Sequence, residues 1–492
     1  MGLSALETGK RALIAQRFGL DVTSNNIANA NTEGYSRRAV SYSQSESLYT
    51  AGNFIGTGVL VQKMRSFRED FFDREVRNTF ARQSAFLQDE KTLERIEVIM
   101  SEPTESGLND DITKFFTIFD ELALKPESLG LRDHALSLAQ TVVDKFNRIG
   151  QQLKDARQEV KKELDDITGN TNRLTREIAN LNLAFSANKS LSTDQSQTMF
   201  DTRAIRLEEL SLNSDITVSN NEDGTVNVAM NGINVVTRNI ATELEIAEEI
   251  AIPLPAPGQD PNEIESETSY KLVKRGSDGR ILNTIEPDNG KFASLLKNIN
   301  ITLDGQDTTG EFSVFTKINQ FAAKFVENVN DLTMQGYGMD DNGETPPGLN
   351  FFEPNIEGVK ATALTIAINK DLKNNPRKLP LSDMPGTVGN TAIARKIARL
   401  ANKFDFIEDS TYTEFYSDLI GKIGSISQEA KKSRETTDLI TDQLSNQRDA
   451  IMGVNLDEEA INLIKFQQSF QAASRVVNSV DEILRTIINL GL

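Results

Sequence analysis

The chain has 492 residues, of which 38% are apolar and 25% charged, and its formal net charge is −19 at neutral pH. That length allows about three domains. The acidic balance argues against nucleic acid or an anionic membrane surface as a partner, because both are negatively charged. With no cysteine and one histidine, the sequence excludes disulfides, thiol catalysis and a metal cluster built from the histidines of one chain.

The first predicted element is a helix over residues 3–28, with an apolar residue at every seventh position. Residues 1–8 lack the basic and apolar regions of a cleavable secretory signal, and no apolar run in the chain approaches the roughly 20 residues of a membrane span. The Asn and Gly residues of 29–37 predict a turn. Residues 38–66, which are rich in Ser, Tyr, Gly and Val, predict extended, irregular chain.

Helices are then predicted over residues 67–101, 109–124 and 129–186. The third has an apolar residue every seven positions from Phe146 to Leu181, and it would be about 85 Å long if unbroken. Gly169 is its possible weak point. Heptads at 146–185 are typical of an internal bundle, and the expected partner helices are residues 313–333 and 412–452.

After a short helix at 195–211 the pattern changes to strands. Alternating β-branched residues on both sides of Asp223-Gly224 predict a hairpin. Further strands are predicted near 233–237, 243–246, 270–274 and 281–285. Residues 338–390 read as a loop-rich side region, and a helix is predicted at about 390–402.

The last helix carries the clearest pattern in the chain. Two sets of apolar residues each repeat every seven positions, offset by three, and form an a/d seam that must press against another helix: Leu456, Leu463, Phe470, Val477, Leu484, and Phe466, Ala473, Val480, Ile487. Asn455, with Glu458 three residues on, predicts a capping box. Further apolar residues, including Ile461 and Ile464, predict a second face that another subunit would cover.

The predicted fold is mainly α with an inserted β domain, in nested order. Residues 1–66 and 440–492 form terminal assembly helices plus an elbow segment. Residues 67–211 and 291–439 form a helical stem, a long-helix bundle or coiled coil, and 212–290 form the β insert.

Candidate chemistry is weak. No Gly-rich phosphate loop occurs. His134, at the start of a helix, is typical of a solvated or capping residue. Asp340-Asp341-Asn342-Gly343 has the composition of a calcium loop without the EF-hand spacing. We predict no catalytic, metal or cofactor site and no enzyme.

Two terminal motifs resemble a known family. Residues 24–37, SNNIANANTEGYSR, resemble the N-terminal signature of bacterial flagellar rod, hook and hook-associated proteins. Residues 453–460, GVNLDEEA, continuing into FQQSFQA at 466–472, resemble the C-terminal signature of the hook-associated junction proteins. The interior is similar at 201–203, 223–228 and 351–352. Phe470 is a departure, because relatives often carry Tyr there.

The resemblance implies a structural protein that forms a ring between hook and filament. It implies export without a cleavable signal through the flagellar type III apparatus, extracellular location on the flagellum, and terminal helices that order on assembly. Implied partners are further copies of the chain, the hook protein, a second hook-associated junction protein and a cytoplasmic export chaperone on the C-terminal helix, but no nucleic acid or membrane. The alternatives are another axial protein, of the hook or distal rod, or an axial scaffold with an enzymatic insert.

Assembly-interface residues are predicted on the two seams and the elbow, where Gly34 is expected to adopt a backbone angle that side chains disfavour. They are Leu6, Leu13, Leu20, Ile27, Asn29, Asn31, Thr32, Gly34, Tyr35, Leu456, Leu463, Phe466, Phe470, Val477, Val480, Leu484 and Ile487.

Overall fold

The computed structural model describes residues 2–50, 53–101, 107–187, 193–251, 267–276, 279–304, 312–343, 345–355, 361–404, 406–407 and 409–490. In these residues the fold is mainly helical, with small sheets in the middle of the chain and a long C-terminal helix, which confirms the predicted fold class. The helices are α1 (Gly2–Ala28), α2 (Asp70–Met100), α3 (Leu108–Leu124), α4 (Leu129–Ala187), α5 (Thr193–Ser211), α6 (Gly290–Lys297), α7 (Val314–Thr333), α8 (Lys370–Asn374), α9 (Ala392–Leu400), α10 (Tyr412–Met452) and α11 (Leu456–Leu490).

The strands of the same residues pair antiparallel in small sheets. They are β1 (Arg38–Gln44), β2 (Leu48–Thr50), β3 (Asn53–Ile55), β4 (Val59–Ser66), β5 (Ile216–Asn220), β6 (Val226–Met230), β7 (Ile233–Thr237), β8 (Ile240–Ala241), β9 (Leu244–Ala251), β10 (Glu267–Arg275), β11 (Ile281–Ile285), β12 (Phe352–Pro354) and β13 (Ile366–Ile368). A π-helical turn at Asn298–Thr302 and a 3-10 turn at Pro376–Lys378 complete the regular structure of this part of the chain.

The chain divides into two compact units. The terminal unit comprises residues 1–83, 170–243 and 436–492, and the central unit comprises residues 84–169 and 244–435. Three helices, α2, α4 and α10, contribute residues to both. The three-part division expected from the sequence stays a prediction.

The long helix α4 is continuous over 59 residues and passes through Gly169 without a break. Within the central unit it packs on α7, where the rings of Phe146 and Phe321 lie 5.5 Å apart between centroids. It also packs on α2, where Gln88 Nε2 donates to Glu163 Oε2 at 2.7 Å. The sequence predicted that α4 packs on α7, but it did not predict the contact of α4 with α2.

Phenylalanines build the core of the central unit. Eight rings from α3, α4, α7 and the segment before α8 are at most 1% exposed: Phe115, Phe116, Phe119, Phe146, Phe321, Phe325, Phe351 and Phe352. Many of their pairs meet edge to face, the arrangement that aromatic quadrupoles favour. The loop-rich region 338–390 therefore supplies core residues, whereas the sequence suggested a side region.

The strands expected between residues 212 and 290 form two sheets. The sheet β5–β6–β7–β8 lies in the terminal unit, and β9, β10 and β11 form a second sheet in the central unit. The hairpin at Asp223-Gly224 is confirmed: Gly224 has a φ of +81° and Asn221 N donates to Thr225 O at 2.9 Å.

Residues 38–66, expected to be irregular, fold into an antiparallel ribbon. Strand β1 pairs with β4 from Arg38 opposite Ser66 to Gln44 opposite Val59, and β2 pairs with β3. This ribbon matters for the site because it lies against α1.

Candidate assembly interface

The two terminal helices, α1 and α11, pack on each other and run antiparallel. Gly9 faces Val477 and Gly19 faces Phe466, so residue numbers rise along α1 as they fall along α11. A Cβ placed on Gly9 would come within 2.6 Å of Val477 Cγ2, and one on Gly19 within 2.7 Å of Phe466 Cε1. Glycine inside a helix costs about 1 kcal/mol relative to alanine. At Gly9 and Gly19 the absence of a side chain allows the two helices to approach closely.

The predicted seam residues lie in or beside this contact. Half-buried side chains make up most of the set, namely Leu6, Leu13, Leu20, Ile27, Leu463, Phe466, Phe470, Val477, Val480 and Leu484. Leu456, at the start of α11, is 52% exposed. The side chain of Ile487 is outside the part of the chain that the structure describes. That these residues serve assembly stays a prediction.

The other side of α11 carries a second apolar set that nothing in the chain's described part covers. Ile461, Ile464, Val476 and Ile483 are 53–65% exposed. At about 100° per residue they fall within an arc of about 120°, roughly opposite the seam. We call these four residues the outer face of α11.

The ribbon covers one flank of α1, while Ile14 on the same helix is 55% exposed. Ala15 is 1% exposed and Val22 is 6% exposed. Tyr42 Oη, on β1, donates to Ala15 O at 3.3 Å, and Gly58, next to β4, lies against Thr8. The ribbon therefore gives α1 a second neighbour within its own chain.

A partly buried polar network, which we call the clasp, joins the end of α1 to the start of α11. It consists of Asn26, Tyr35, Arg37, Arg38 and Glu459. Asn26 Nδ2 donates to Glu459 Oε2 at 3.1 Å and to Arg38 O at 2.9 Å, and Arg37 Nε donates to Glu459 Oε1 at 2.9 Å. Tyr35 Oη donates to Asn26 Oδ1 at 2.8 Å. Both oxygens of the Glu459 carboxylate are thus held by different parts of the N-terminal segment.

The start of α11 has the predicted Asn455 cap. Asn455 Oδ1 accepts from the backbone N–H groups of Asp457 at 3.0 Å and Glu458 at 3.3 Å. The Glu458 carboxylate lies 3.1 Å from Arg37 Nη1, so this side chain joins the two chain ends instead of completing a capping box.

The elbow between α1 and β1 depends on local hydrogen bonds and one glycine. Asn29 Nδ2 donates to Asn25 O at 2.9 Å, and Thr32 Oγ1 donates to Asn29 Oδ1 at 3.2 Å, while Asn31 is exposed. Gly34 has a φ of +72°, as predicted, and a Cβ there would lie 2.5 Å from Ile205 Cγ1. Both backbone angle and space therefore require glycine at this position.

Behind the clasp, Asp201 on α5 binds three groups. Arg38 Nη2 donates to it at 2.8 Å, Ser36 Oγ at 3.2 Å and Arg68 Nη1 at 3.4 Å. Burial raises the pKa of Asp201 and outweighs the opposing effect of the two guanidinium groups. Burial likewise raises the pKa of Glu208, which accepts from Arg448 Nη1 at 2.7 Å.

Other sequence features show ordinary structural partners. His134 is exposed near the start of α4. Asp340 pairs with Arg377 at 2.6 Å, and Asp341 Oδ2 accepts from Gly338 N at 2.6 Å. Among the residues described, no group of three or more His, Cys, Asp or Glu side chains could hold a metal ion. A search of the same residues for a helix long and apolar enough to cross a membrane found none.

Sequence reasoning missed the residues that fix the pairing. Gly9 and Gly19 interrupt an otherwise helical pattern, and such glycines indicate close packing. Glu459 lies seven residues before Phe466 and so occupies a seam position with a charge. Both signals are visible in the sequence, but the partners Asn26 and Arg37 are set by the fold.

Models of known protein families match three segments of this chain. Residues 93–352 match the family model "Flagellar hook-associated protein FlgK helical domain". Residues 6–35 match "Flagella basal body rod protein" and residues 447–490 match "Flagellar basal body rod FlgEFG protein C-terminal".

Similar proteins include flagellar hook-associated protein 1 of Bacillus subtilis, 27% identical over 505 residues covering 98% of this chain and 97% of the relative. The protein of the same name from Salmonella typhimurium is 24% identical over 551 residues, covering 99% of this chain and 100% of the relative. The solved structure of the flagellar hook junction protein FlgK from Burkholderia pseudomallei has the same fold, with a TM-score of 0.60 and 13% identity over 76% of this chain and 99% of that one. Because the helical-domain model alone spans more than half of the 492 residues, the chain belongs to the family of the flagellar hook-associated protein FlgK.

Proposed function

We propose that this chain is a structural, non-catalytic component of the bacterial flagellum and forms the junction ring between hook and filament through its terminal helices. Family membership supports the flagellar location and the hook association. The observation that carries the assembly role is the outer face of α11, where four large aliphatic side chains are more than half exposed. Full burial of such a side chain contributes about 1.5–3 kcal/mol, so neighbouring copies that cover this face would gain substantial stability.

The proposed partners are those that the resemblance to the flagellar hook-associated proteins implies. Further copies of the chain cover it in the ring, with the hook protein on one side and a second hook-associated junction protein on the other. Before assembly, a cytoplasmic export chaperone covers α11, and the chain leaves through the flagellar type III apparatus without a cleavable signal. The absence of cysteine suits that route, since no stray disulfide can form on the way.

A double substitution on the outer face tests the proposal. Cells that carry Ile464→Asp with Val476→Asp are expected to build hooks but lose motility and release filament protein into the medium, because a charged face cannot be buried in the ring. Val98→Asp is the control, since Val98 is 75% exposed on α2, far from α11 in the sequence. Normal motility of the double variant, with the variant protein in the flagella, would contradict the proposal.

A further inference from the structure

The seam between α1 and α11 repeats every seven residues, and such a seam does not by itself define one pairing. If α11 slides by seven residues, a similar apolar set again faces α1. Coiled coils often settle this ambiguity with one buried polar residue at a seam position, at some cost in stability. Glu459 is such a residue here, because it precedes Phe466 by one heptad and is only 2% exposed.

The partners of Glu459 follow the same spacing on the other helix. Asn26 binds Glu459, and Gly19 faces Phe466. Asn26 lies seven residues after Gly19, and Glu459 lies seven residues before Phe466. The polar pair is therefore the next layer of the antiparallel seam after the pair formed by phenylalanine and glycine.

A slip of one heptad breaks this match in either direction. In one direction the Glu459 carboxylate comes opposite Gly19, which has no side chain to donate a hydrogen bond. In the other, the Phe466 ring comes opposite Asn26 and loses the space that glycine provides. Both slipped arrangements bury a polar group without its partner, which is unfavourable, and more so for a charge.

We infer that Glu459 is a register lock, which permits α11 to pair with α1 in one register. Arg37 completes the lock from outside the helix pair, because its Nε holds the second oxygen of the carboxylate at 2.9 Å and its backbone N–H donates to Met452 O at 2.8 Å. The lock is a positioning device. A slip of seven residues moves the outer face of α11 by about 10 Å along its axis, so Glu459 sets the height at which that face meets a neighbour.

The significance of the lock rests on the proposed function, but its test does not. Because the chain has no cysteine, Ser24→Cys and Glu482→Cys place two spin labels uniquely, one on each helix, and both positions are exposed. The two positions lie about 30 Å apart along the helix axes in the observed register. Double electron–electron resonance on the purified full-length chain then measures the distance between the labels.

The labelled chain is expected to give one narrow distance. Adding Glu459→Ala is expected to add populations displaced by about 10 Å, the length of one heptad. Glu458→Ala is the matched control and should keep the single distance, since the Glu458 side chain is 57% exposed although it also pairs with Arg37.

Three results would overturn the inference. One is a single unchanged distance in Glu459→Ala, which would place the register determinant elsewhere. Another is the loss of any defined distance in that variant, which would assign Glu459 a role in stability rather than register. The third is several distances in the chain that retains Glu459. None of these bears on whether cells with an altered outer face lose the hook–filament junction, so the two proposals fail separately.

Discussion

The two terminal helices carry similar heptad patterns, yet they differ in how the rest of the chain contacts them. Helix α1 contacts both α11 and the ribbon of β1 and β4, which buries Ala15 and Val22 and leaves Ile14 55% exposed. Helix α11 has α1 along one side, the clasp at its start and an exposed apolar face on the other side. An apolar face therefore predicts a contact but not its source, because a distant segment of the same chain can supply it.

The largest expected effect comes from placing the same charge on the second side of each helix. Ala15→Asp should lower the free energy of unfolding of the terminal unit by about 3 kcal/mol, because the carboxylate would be buried without a partner beneath the ribbon. Ala472→Asp, at an exposed position of α11, should cost at most about 0.7 kcal/mol in helix propensity. Urea unfolding of the two purified variants measures the difference. Equal losses would show that α11 is covered as completely as α1.

The second effect separates the two helices from each other. Gly19→Leu should destabilise their pairing by about 2 kcal/mol, because the side chain would overlap the Phe466 ring. Limited proteolysis should then cut α11 faster while cleavage of the ribbon is unchanged. Gly169→Leu is the control, since nothing lies within 4 Å of a Cβ there and leucine favours the helix. Unchanged cleavage of α11 in Gly19→Leu would contradict the close packing at this glycine.

A smaller effect is expected at the elbow that connects α1 to the ribbon. Gly34→Ala should cost about 1.5 kcal/mol, from a positive φ together with the approach of Ile205. Gly224→Ala shares the positive φ but has open space, so it isolates the backbone cost, about 1 kcal/mol. Thermal unfolding followed by circular dichroism compares them. If Gly34→Ala is no less stable than Gly224→Ala, the approach of Ile205 adds no cost at this position.

The pH dependence gives a still smaller effect in the terminal unit. Burial raises the pKa of Glu208, so the folded state binds a proton more readily than the unfolded state. As pH falls through that raised pKa toward the unfolded value near 4.5, this group adds stability and offsets losses elsewhere. Glu208→Gln lacks the offset, so its stability should fall more steeply on acidification. Urea midpoints between pH 7 and pH 4 that run parallel in the two proteins would argue against the shift.

The smallest effect is expected at the outer face of α11. In the isolated chain Ile464→Asp should change the free energy of unfolding by no more than about 0.5 kcal/mol, because the side chain is already 53% exposed. A large loss of unfolding free energy in urea would mean that the outer face is covered within the monomer. Helices α1 and α11 would then not differ in how far the chain covers them.

Much of the fold was predictable because it rests on local patterns. The long helices were predicted within a few residues of their bounds, since each carries an apolar stripe at helical spacing over many turns. The Asp223-Gly224 hairpin was equally clear, as its turn requires residues that tolerate a positive φ. The ribbon was not predicted, because strands β1 and β4 are half-polar and are stabilised by contact with α1.

Residue spacing and residue type are enough to predict two terminal helices with apolar seams, a cap at Asn455 and a glycine turn at Gly34. Each of these depends on residue spacing or on backbone angles that act over a few positions. Which side of each helix stays open, and which groups bind Glu459, depends on the folded structure. Those outcomes depend on contacts between residues hundreds of positions apart, such as Asn26 with Glu459, and periodicity carries no information about them.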